Sequence, residues 1–319
     1  MREIRCNDIQ KYNTPKGEFQ VVRSRKSIGV KTDMAVNQFL CQCRAKNLSP
    51  ETIRWYEWQL GEFMKYPDAP QIVTLIRSRH IRDFLSDCQG KIAPNTLNGR
   101  YGALSALFGF LLKEGIIEEN PIVDIDKPKV EKVLIRIFTG EELHRFFRVI
   151  DRTTFHGIRD YAMFLLLFDT GIRVKELINI RQKDLFLSAR HLYVMGKGNK
   201  ERLIPFGEKS LGAINQYLQI AGKNEWLFLN EYDTQIQYRT IDNTVKKYGK
   251  YAGITDKRVS CHTFRHTFAV NYLLNGGDMR SLQEILGHSS LAMVQRYTQL
   301  VSQDVKAQHQ KASPGDRLL

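Results

Sequence analysis

The segment at residues 120–131, NPIVDIDKPKVE, divides the chain into two stretches of different pattern. It contains two prolines and several charges, and it shows no hydrophobic periodicity. Proline lacks the backbone N–H that helices and central strands use, and it disfavours helical geometry in the residue before it. A chain of 319 residues is also long enough for two domains. We therefore expect a linker over residues 120–137 with a domain on either side.

Residues 33–119 have the pattern of a small helical bundle. Apolar side chains recur at the three-to-four spacing of an amphipathic helix, as at Ala35, Val36, Phe39 and Leu40. A second helix is expected to start at Ser49-Pro50, because a serine hydroxyl caps the first N–H groups and proline fits the first turn. Two further helices are predicted over residues 79–88 and 95–114.

Residues 138–300 mix helices with short strands. Thr139 is placed to cap the first helix of this domain. The sequence then carries three β-prone segments, at residues 185–187, 191–195 and 202–206. The glycine-rich turn GKGNK joins the last two as a hairpin. Helical patterns resume afterwards, so we expect a mainly α fold with a small antiparallel β-sheet.

The two ends of the chain are predicted to lie outside these domains. Residues 1–32 form a basic arm, with eight Lys or Arg against three Asp or Glu. The arm either touches DNA or is a solvated, flexible tail. Residues 301–319 form a C-terminal tail that begins as helix.

A histidine and an arginine stand three residues apart in CHTFRH. On a helix His262 and Arg265 share a face, where they either bind phosphate or form an ordinary surface pair. His262 and His266 also have the spacing of a zinc-binding helix. Thr263 replaces the glutamate of that motif, and no cluster of further ligands completes it. We therefore expect no metal site here.

A tyrosine follows this segment in a helical pattern. Asp278 is expected to cap a short helix that ends at Gly287, so that His288 lies in the turn before the next helix. Tyr297 comes nine residues after His288. Because the chain has thirteen tyrosines, Tyr297 indicates little by itself.

The charge of the chain predicts a polyanionic partner. The formal net charge is +14 and the pI is near 9.5, which favours nucleic acid, although ribosomal and membrane-surface proteins share this bias. No stretch approaches the roughly 20 apolar residues of a membrane span, and the N-terminus lacks the apolar core of a signal peptide. Five scattered cysteines fit a reducing compartment. We expect a cytoplasmic, nucleoid-associated protein without membrane contact.

Three motifs, in this order, resemble those of the tyrosine recombinase (phage integrase) family. FDTGIRVKELINIRQKDL resembles the family's first-arginine motif, and GKGNKER resembles its catalytic lysine turn. HTFRHTFAVNYLLNGGDMRSLQEILGHSSLAMVQRYTQL resembles its C-terminal signature position by position. Asn120-Pro121-Ile122 is similar to the sequence before the linker in Xer-like members. The resemblance covers roughly residues 33–300.

The resemblance implies an active site of six residues: Arg173, Lys197, His262, Arg265, His288 and Tyr297. Glu176 matches an acidic residue that steadies the first arginine. The implied fold is a two-domain clamp around duplex DNA, with a helical core-binding domain at 33–119 and a catalytic domain at 138–300. The implied assembly is a homotetramer on two DNA duplexes with inverted-repeat core sites. Its C-terminal tail would dock on a neighbouring protomer, as in Xer-like relatives.

The implied chemistry explains these residue types. Attack on a phosphodiester adds negative charge to its oxygens, and two guanidiniums bind those oxygens without changing protonation state. His288 would donate a further hydrogen bond. Tyrosine has a reference pKa near 10, so a base must take the Tyr297 proton, and His262 is the expected base. Lys197 would protonate the departing 5′ oxygen. The 3′-phosphotyrosyl link keeps the phosphodiester energy, so no ATP, metal or other cofactor is expected.

Two other functions and two other residue assignments stay open. The chain could be a sequence-specific DNA-binding protein without catalysis, or a relaxing enzyme similar to type IB topoisomerases. Arg173 and Glu176 could form an ordinary exposed helix pair, and Lys200 is a rival for Lys197. Integration, excision, transposition and resolution of a DNA element all remain possible roles.

Overall fold

A computed structural model describes residues 29–130, 135–196 and 201–287, together with residues 294, 295, 297 and 313. The chain divides into two compact units, Met1–Val133 and Leu134–Leu319. Each unit has its own hydrophobic core. The mainly helical fold with a small antiparallel sheet is therefore confirmed. The limits of the predicted arm, linker and tail stay predictions, since residues 1–28 and nearly all of 301–319 lie outside the described residues.

The described part of the first unit is a helical bundle. Its helices are α1 (Thr32–Ala45), α2 (Pro50–Met64), α3 (Ser78–Cys88) and α4 (Pro94–Lys113). As predicted, Ser49 caps α2: its Oγ accepts a hydrogen bond from the Thr52 N–H at 3.3 Å. Apolar faces of these helices meet around Leu60 and Phe108, which are fully buried.

The beginning of the predicted linker packs into the first core. Ile122 is 3% exposed there. Asn120 Oδ1 accepts a hydrogen bond from the Ile122 N–H at 3.2 Å, and Tyr101 Oη donates to the Ile125 carbonyl at 3.0 Å. The first unit thus extends beyond residue 119. The proline-rich pattern hid this because the partners of these residues lie on α4 and elsewhere in the bundle.

The second unit combines helices with a three-stranded antiparallel sheet. Its described helices are α5 (Gly140–Arg148), α6 (Phe155–Thr170), α7 (Val174–Ile178), α8 (Glu208–Ala221), α9 (Tyr238–Tyr251), α10 (Cys261–Leu274) and α11 (Met279–Leu286). The strands are β1 (Leu185–Phe186), β2 (His191–Met195) and β3 (Glu201–Pro205), in the order β1-β2-β3. The hairpin register pairs Val194 with Arg202. The three predicted strands, the helix start after Thr139 and the short helix between Asp278 and Gly287 are confirmed to within about two residues. Of the helical pattern around Tyr297, only residues 294, 295 and 297 are described.

Local chemistry explains where the elements around the site begin and end. Thr139 caps α5 in a reciprocal arrangement with Glu142, as the sequence predicts. Ser260 caps α10, and Asp278 caps α11 through the N–H groups of Arg280 and Ser281. Helix α10 packs on α6 and α11, and β3 packs on α11. These elements carry the candidate active site.

Two further findings bear on the sequence predictions. On α1, Cys41 is exposed and Cys43 is buried, and every described cysteine is a free thiol. None of the helices within the described ranges is both long and apolar enough to cross a membrane.

Candidate active site

Arg173 lies just before α7, in extended backbone geometry, where it caps the helix. Its backbone N–H donates to Glu176 Oε2 at 2.8 Å, and its Nη1 donates to Glu176 Oε1 at 2.9 Å. The side chain of Glu176 is 5% exposed and that of Arg173 is 33% exposed. The alternative of an ordinary exposed helix pair is therefore wrong. The carboxylate holds Arg173 from a buried position while part of the guanidinium stays open to solvent.

Arg202 on β3 is a residue that the motif analysis did not assign to the site. Its Nη1 and Nη2 donate to the two oxygens of Glu176 at 3.1 and 2.9 Å, and its Nε donates to the Ile285 carbonyl at 2.9 Å. The parallel geometry is the strong, bidentate form of an arginine–carboxylate pair. Strand alternation could have indicated it, because Arg202 shares the inward face of β3 with the fully buried Ile204.

The ionisation of Glu176 is set by two opposing effects. Burial raises the pKa of its carboxyl, but the hydrogen bonds from Arg202 and from the Arg173 N–H, with the charges of both arginines, lower it below the ordinary value. Glu176 is therefore a carboxylate at neutral pH. It binds both guanidiniums as an anion.

Arg265 is buried on α10, with 4% of the residue exposed. Its Nη1 donates to the Gly171 carbonyl at 2.6 Å, and its Nη2 donates to the Leu286 carbonyl at 2.8 Å. The alternative of a surface pair with His262 is therefore wrong for this arginine. Burial and the charge of Arg173 lower the pKa of Arg265 to about 10, which leaves it cationic at neutral pH.

The guanidiniums of Arg173 and Arg265 meet at the C-terminal end of α11. Arg173 Nη1 lies 3.4 Å from the same Leu286 carbonyl that accepts from Arg265 at 2.8 Å. Two arginines that are distant in the sequence are thus brought to one carbonyl oxygen. We refer to Arg173, Glu176, Arg202 and Arg265 as the arginine cluster.

Two glycines make this close approach possible. Gly171 ends α6 and Gly287 ends α11, both with φ near +61°. A Cβ at Gly171 would lie 2.3 Å from a Phe268 ring carbon, and a Cβ at Gly287 would lie 2.9 Å from Arg202 Nη1. Only glycine combines the left-handed backbone with these contacts.

His262 lies in the first turn of α10, four residues before His266, on the side of the helix that faces solvent. Partial burial and the charges of Arg265 and Arg173 lower the pKa of the imidazole. The residue is in contact with solvent. Because its pKa is lowered, the imidazole is mainly uncharged at neutral pH. On α10 His262 and Arg265 are three residues apart and share a face, and the assignment of His262 as the base stays a prediction.

Tyr297 is 4% exposed and belongs to an apolar cluster with residues of α10 and α11. Its Oη lies 2.9 Å from Nδ1 of His266, and the two ring centroids are 5.6 Å apart. The His262 and His266 rings stack along the helix with centroids 6.5 Å apart. The sequence prediction considered His266 only as a metal ligand, although its spacing from His262 already places both on one face.

Two of the six predicted residues, Lys197 and His288, lie outside the described residues. Their assignments stay predictions, and so does the rivalry between Lys197 and Lys200, which is also outside. Among the residues that are described, no group of three or more His, Cys, Asp or Glu is arranged to hold a metal ion.

Comparisons with known proteins agree with the geometry. Residues 136–304 match the phage integrase family, and residues 36–115 match the phage integrase N-terminal SAM-like domain. The chain is 35% identical over 273 residues to tyrosine recombinase XerC of Anoxybacillus flavithermus, an alignment that covers 82% of this chain and 91% of the relative.

Solved structures share the fold. XerH site-specific recombinase bound to a palindromic difH substrate in a post-cleavage complex aligns with a TM-score of 0.69 and 22% identity, over 92% of each chain. A lambda integrase tetramer bound to a Holliday junction aligns with a TM-score of 0.71 and 19% identity, over 82% of this chain and 78% of that one.

Proposed function

The chain belongs to the phage integrase family and is a tyrosine recombinase that acts in site-specific DNA recombination, and we propose that Tyr297 is its nucleophile and the arginine cluster its phosphate site. The observation that carries the assignment is the meeting of Arg173 and Arg265 at the Leu286 carbonyl. Two guanidiniums held this close repel each other, and the single carboxylate of the cluster, Glu176, is shared between Arg173 and Arg202, so the cluster has room for a further anion. A DNA phosphate supplies that anion.

The proposed reaction is a transfer of one phosphodiester bond from DNA to the protein. Tyr297 Oη attacks the phosphorus, its proton passes to a histidine of α10, and the bond from phosphorus to the 5′ oxygen breaks. Lys197 gives that oxygen a proton. Arg173, Arg265 and His288 bind the non-bridging oxygens, whose negative charge grows in the transition state. A single preplaced donor of this kind contributes about 10²–10³ in rate.

The product is a 3′-phosphotyrosyl bond and a free 5′ hydroxyl. Attack by a 5′ hydroxyl from another strand reverses the step and joins new partners. Bond energy is conserved through the link, so each strand exchange balances without an energy source. Glu176 and Arg202 act through Arg173, because they fix the guanidinium that touches phosphate.

We further propose that the protein acts as a homotetramer on two duplexes with inverted-repeat core sites. The likeness to a lambda integrase tetramer on a Holliday junction and to XerH on a palindromic substrate supports this assembly. The net charge of +14 favours binding to DNA through its phosphates. Integration, excision, transposition or resolution of a DNA element would each use the same chemistry.

A suicide substrate tests the function directly. The duplex would carry the sequence that the protein selects from a random DNA pool, with a nick beside the cleavage point so that the short strand diffuses away. We expect a covalent protein–DNA band that resists denaturant, is absent with Tyr297→Phe, and forms more slowly with Arg173→Lys. A wild-type protein that binds this duplex but forms no covalent band would instead be a DNA-binding protein without catalysis.

The topoisomerase alternative needs a second substrate. A plasmid with two selected sites should yield recombinant circles with the wild-type protein and none with Tyr297→Phe. Relaxation of a supercoiled plasmid without the site, and no recombinants from the two-site plasmid, would favour the relaxing enzyme. The same two plasmids test the tail with a truncated protein that lacks residues 302–319. Loss of recombinant circles would indicate that the tail is needed for assembly.

A further inference from the structure

His266 is in direct contact with the oxygen of Tyr297. The distance from His266 Nδ1 to Tyr297 Oη is 2.9 Å, which is a normal hydrogen bond. The motif comparison gives His266 no role, and the expected base was its neighbour His262. Since the contact is made by the attacking atom itself, His266 needs an explanation in the reaction.

The surroundings of Tyr297 limit where its proton can go. With 4% of the residue exposed, packed in a cluster that includes Phe268, Ala269 and Leu286, the tyrosine has little access to bulk water. Burial therefore disfavours release of the Tyr297 proton directly to bulk water. The acceptor must therefore be a group within hydrogen-bond reach of Oη, and His266 Nδ1 is such a group.

His262 is less suited to this task. Partial burial and the charges of Arg265 and Arg173 lower its pKa, so the two arginines that bind phosphate oppose a second positive charge on that ring. A ring on which both arginines disfavour positive charge suits a neutral imidazole that donates a hydrogen bond. It does not favour a ring that must become a cation.

We propose that His266 is the catalytic residue that accepts the Tyr297 proton during cleavage and returns it during rejoining. In the cleavage step the O–H bond of Tyr297 breaks, Nδ1 of His266 gains the proton, and Oη bonds to phosphorus as the 5′ oxygen leaves. In the rejoining step the proton returns from Nδ1 to Oη. His262 is then a phosphate or leaving-group contact. The inference rests on the proposed function of Tyr297.

Two substitutions separate proton transfer from positioning. His266→Ala removes both, whereas His266→Asn keeps an amide group near the place of Nδ1 that can hydrogen-bond Oη but takes no proton. If His266 is the base, both variants should lose about 10²-fold in the rate of covalent-complex formation. A rate restored by His266→Asn means positioning only and overturns the proposal. So does an unchanged rate in both variants.

A second experiment changes the acidity of the nucleophile, Tyr297. Difluorotyrosine at position 297 has a lower phenol pKa, because fluorine withdraws electrons, and depends less on a base. We expect the deficit of His266→Ala to shrink at least about tenfold with this tyrosine, while the deficit of His262→Ala stays unchanged. If the deficit of His262→Ala shrinks instead, or neither does, His266 is not the base.

Parallel controls keep the outcomes apart. Each variant is scored for binding to the selected duplex and for thermal unfolding, so that a misfolded variant is recognised. If His266→Ala fails to fold, the same comparison is made with His266→Asn: its loss in the rate of covalent-complex formation is measured with tyrosine and with difluorotyrosine at position 297. A loss that shrinks with difluorotyrosine indicates a base, and a loss that does not shrink indicates a positioning residue. A wild-type protein that forms no covalent complex would refute the proposed function, whereas a wild-type complex with no effect at His266 would refute this inference alone.

Discussion

Two groups of charged residues in the described part of the second unit differ in charge balance. In the first, Arg159 donates to Asp160 Oδ1 at 2.8 and 2.9 Å and to the Leu229 carbonyl at 2.9 Å, while Tyr248 Oη donates to Asp160 Oδ2 at 3.1 Å. One cation thus meets one anion, and both residues are 3% exposed. The second is the arginine cluster, where one carboxylate binds two guanidiniums and a third, that of Arg265, is held by carbonyl oxygens.

The difference separates a group that supports the fold from one that is built for a ligand. A balanced, fully hydrogen-bonded pair holds α6 to α9 and to the Leu229 loop. The arginine cluster carries a formal surplus of two positive charges, which costs stability in the free protein. Under the proposed function, a bound phosphate would compensate this surplus. Burial and hydrogen bonding alone do not distinguish the two groups; the sum of the charges does.

Removal of the anion from the balanced pair should have the largest effect on stability. Asp160→Asn leaves the Arg159 cation buried without its counter-charge, so we expect a loss of about 3–5 kcal/mol in the free energy of unfolding. Urea unfolding followed by circular dichroism measures it. Tyr248→Phe, which removes one hydrogen bond, is the matched control and should lose about 1 kcal/mol. Equal losses in the two variants would contradict a structural role for the charge balance.

Removal of a surplus cation should act on activity instead. Arg173→Met is expected to slow covalent-complex formation about 10²–10³-fold. The free energy of unfolding should change by less than about 1 kcal/mol, because Glu176 keeps both hydrogen bonds from Arg202. Reactions on the suicide duplex, stopped at successive times, give the rate of covalent-complex formation, and urea unfolding gives the change in stability. A stability loss as large as that of Asp160→Asn would mean that the cluster is structural.

Neutralising the one carboxylate of the cluster should give a pH-dependent effect. Burial acts to raise the pKa of Glu176 and its arginine partners act to lower it, with a net decrease. Its contribution is therefore complete above the unfolded pKa near 4.5 and is lost as the pH falls through the lower folded pKa. Glu176→Gln should be less stable than wild type by about 2 kcal/mol at pH 7. Unfolding curves from pH 7 to about pH 3 should show this gap closing; a constant gap would contradict the carboxylate's role.

Much of the fold follows from local patterns, and less of the site does. Caps at Ser49, Thr139 and Asp278 and the hairpin turn are local signals, so the helices and strands they delimit were predicted to within about two residues. The packing of Ile122 into the first core is not local, and the proline-rich pattern around it predicted only a linker.

In the active site, too, local motifs predicted some residues, whereas contacts between distant parts of the chain define the others. Motifs identified Arg173, Arg265 and Tyr297, but their burial and shared contacts arise from α6, α10 and α11 coming together. Arg202 and His266 were missed as site residues because each is defined by a partner far along the chain, Glu176 and Tyr297. Two local patterns could have indicated them: Arg202 is on the inward face of β3, and His266 has the helical spacing from His262 that places both on one face of α10.

The smallest expected effect tests the charge surplus itself. Inorganic phosphate should bind the arginine cluster weakly and stabilise the folded protein by about 0.4 kcal/mol at a concentration equal to its Kd. We expect the melting temperature to rise with phosphate relative to chloride at equal ionic strength, and the rise to be smaller in Arg173→Met. Tyr248→Phe should keep the whole rise, since it leaves the Arg159–Asp160 pair balanced, with no surplus charge for an anion.

The matched control for that measurement is Arg239→Met, which removes one exposed cation on α9 that is not a member of the arginine cluster. It lowers the net charge of the chain by the same amount as Arg173→Met. If phosphate acted through net charge alone, both variants would lose the same part of the rise. A loss confined to Arg173→Met would assign the anion to the arginine cluster, where three guanidiniums stand against one carboxylate.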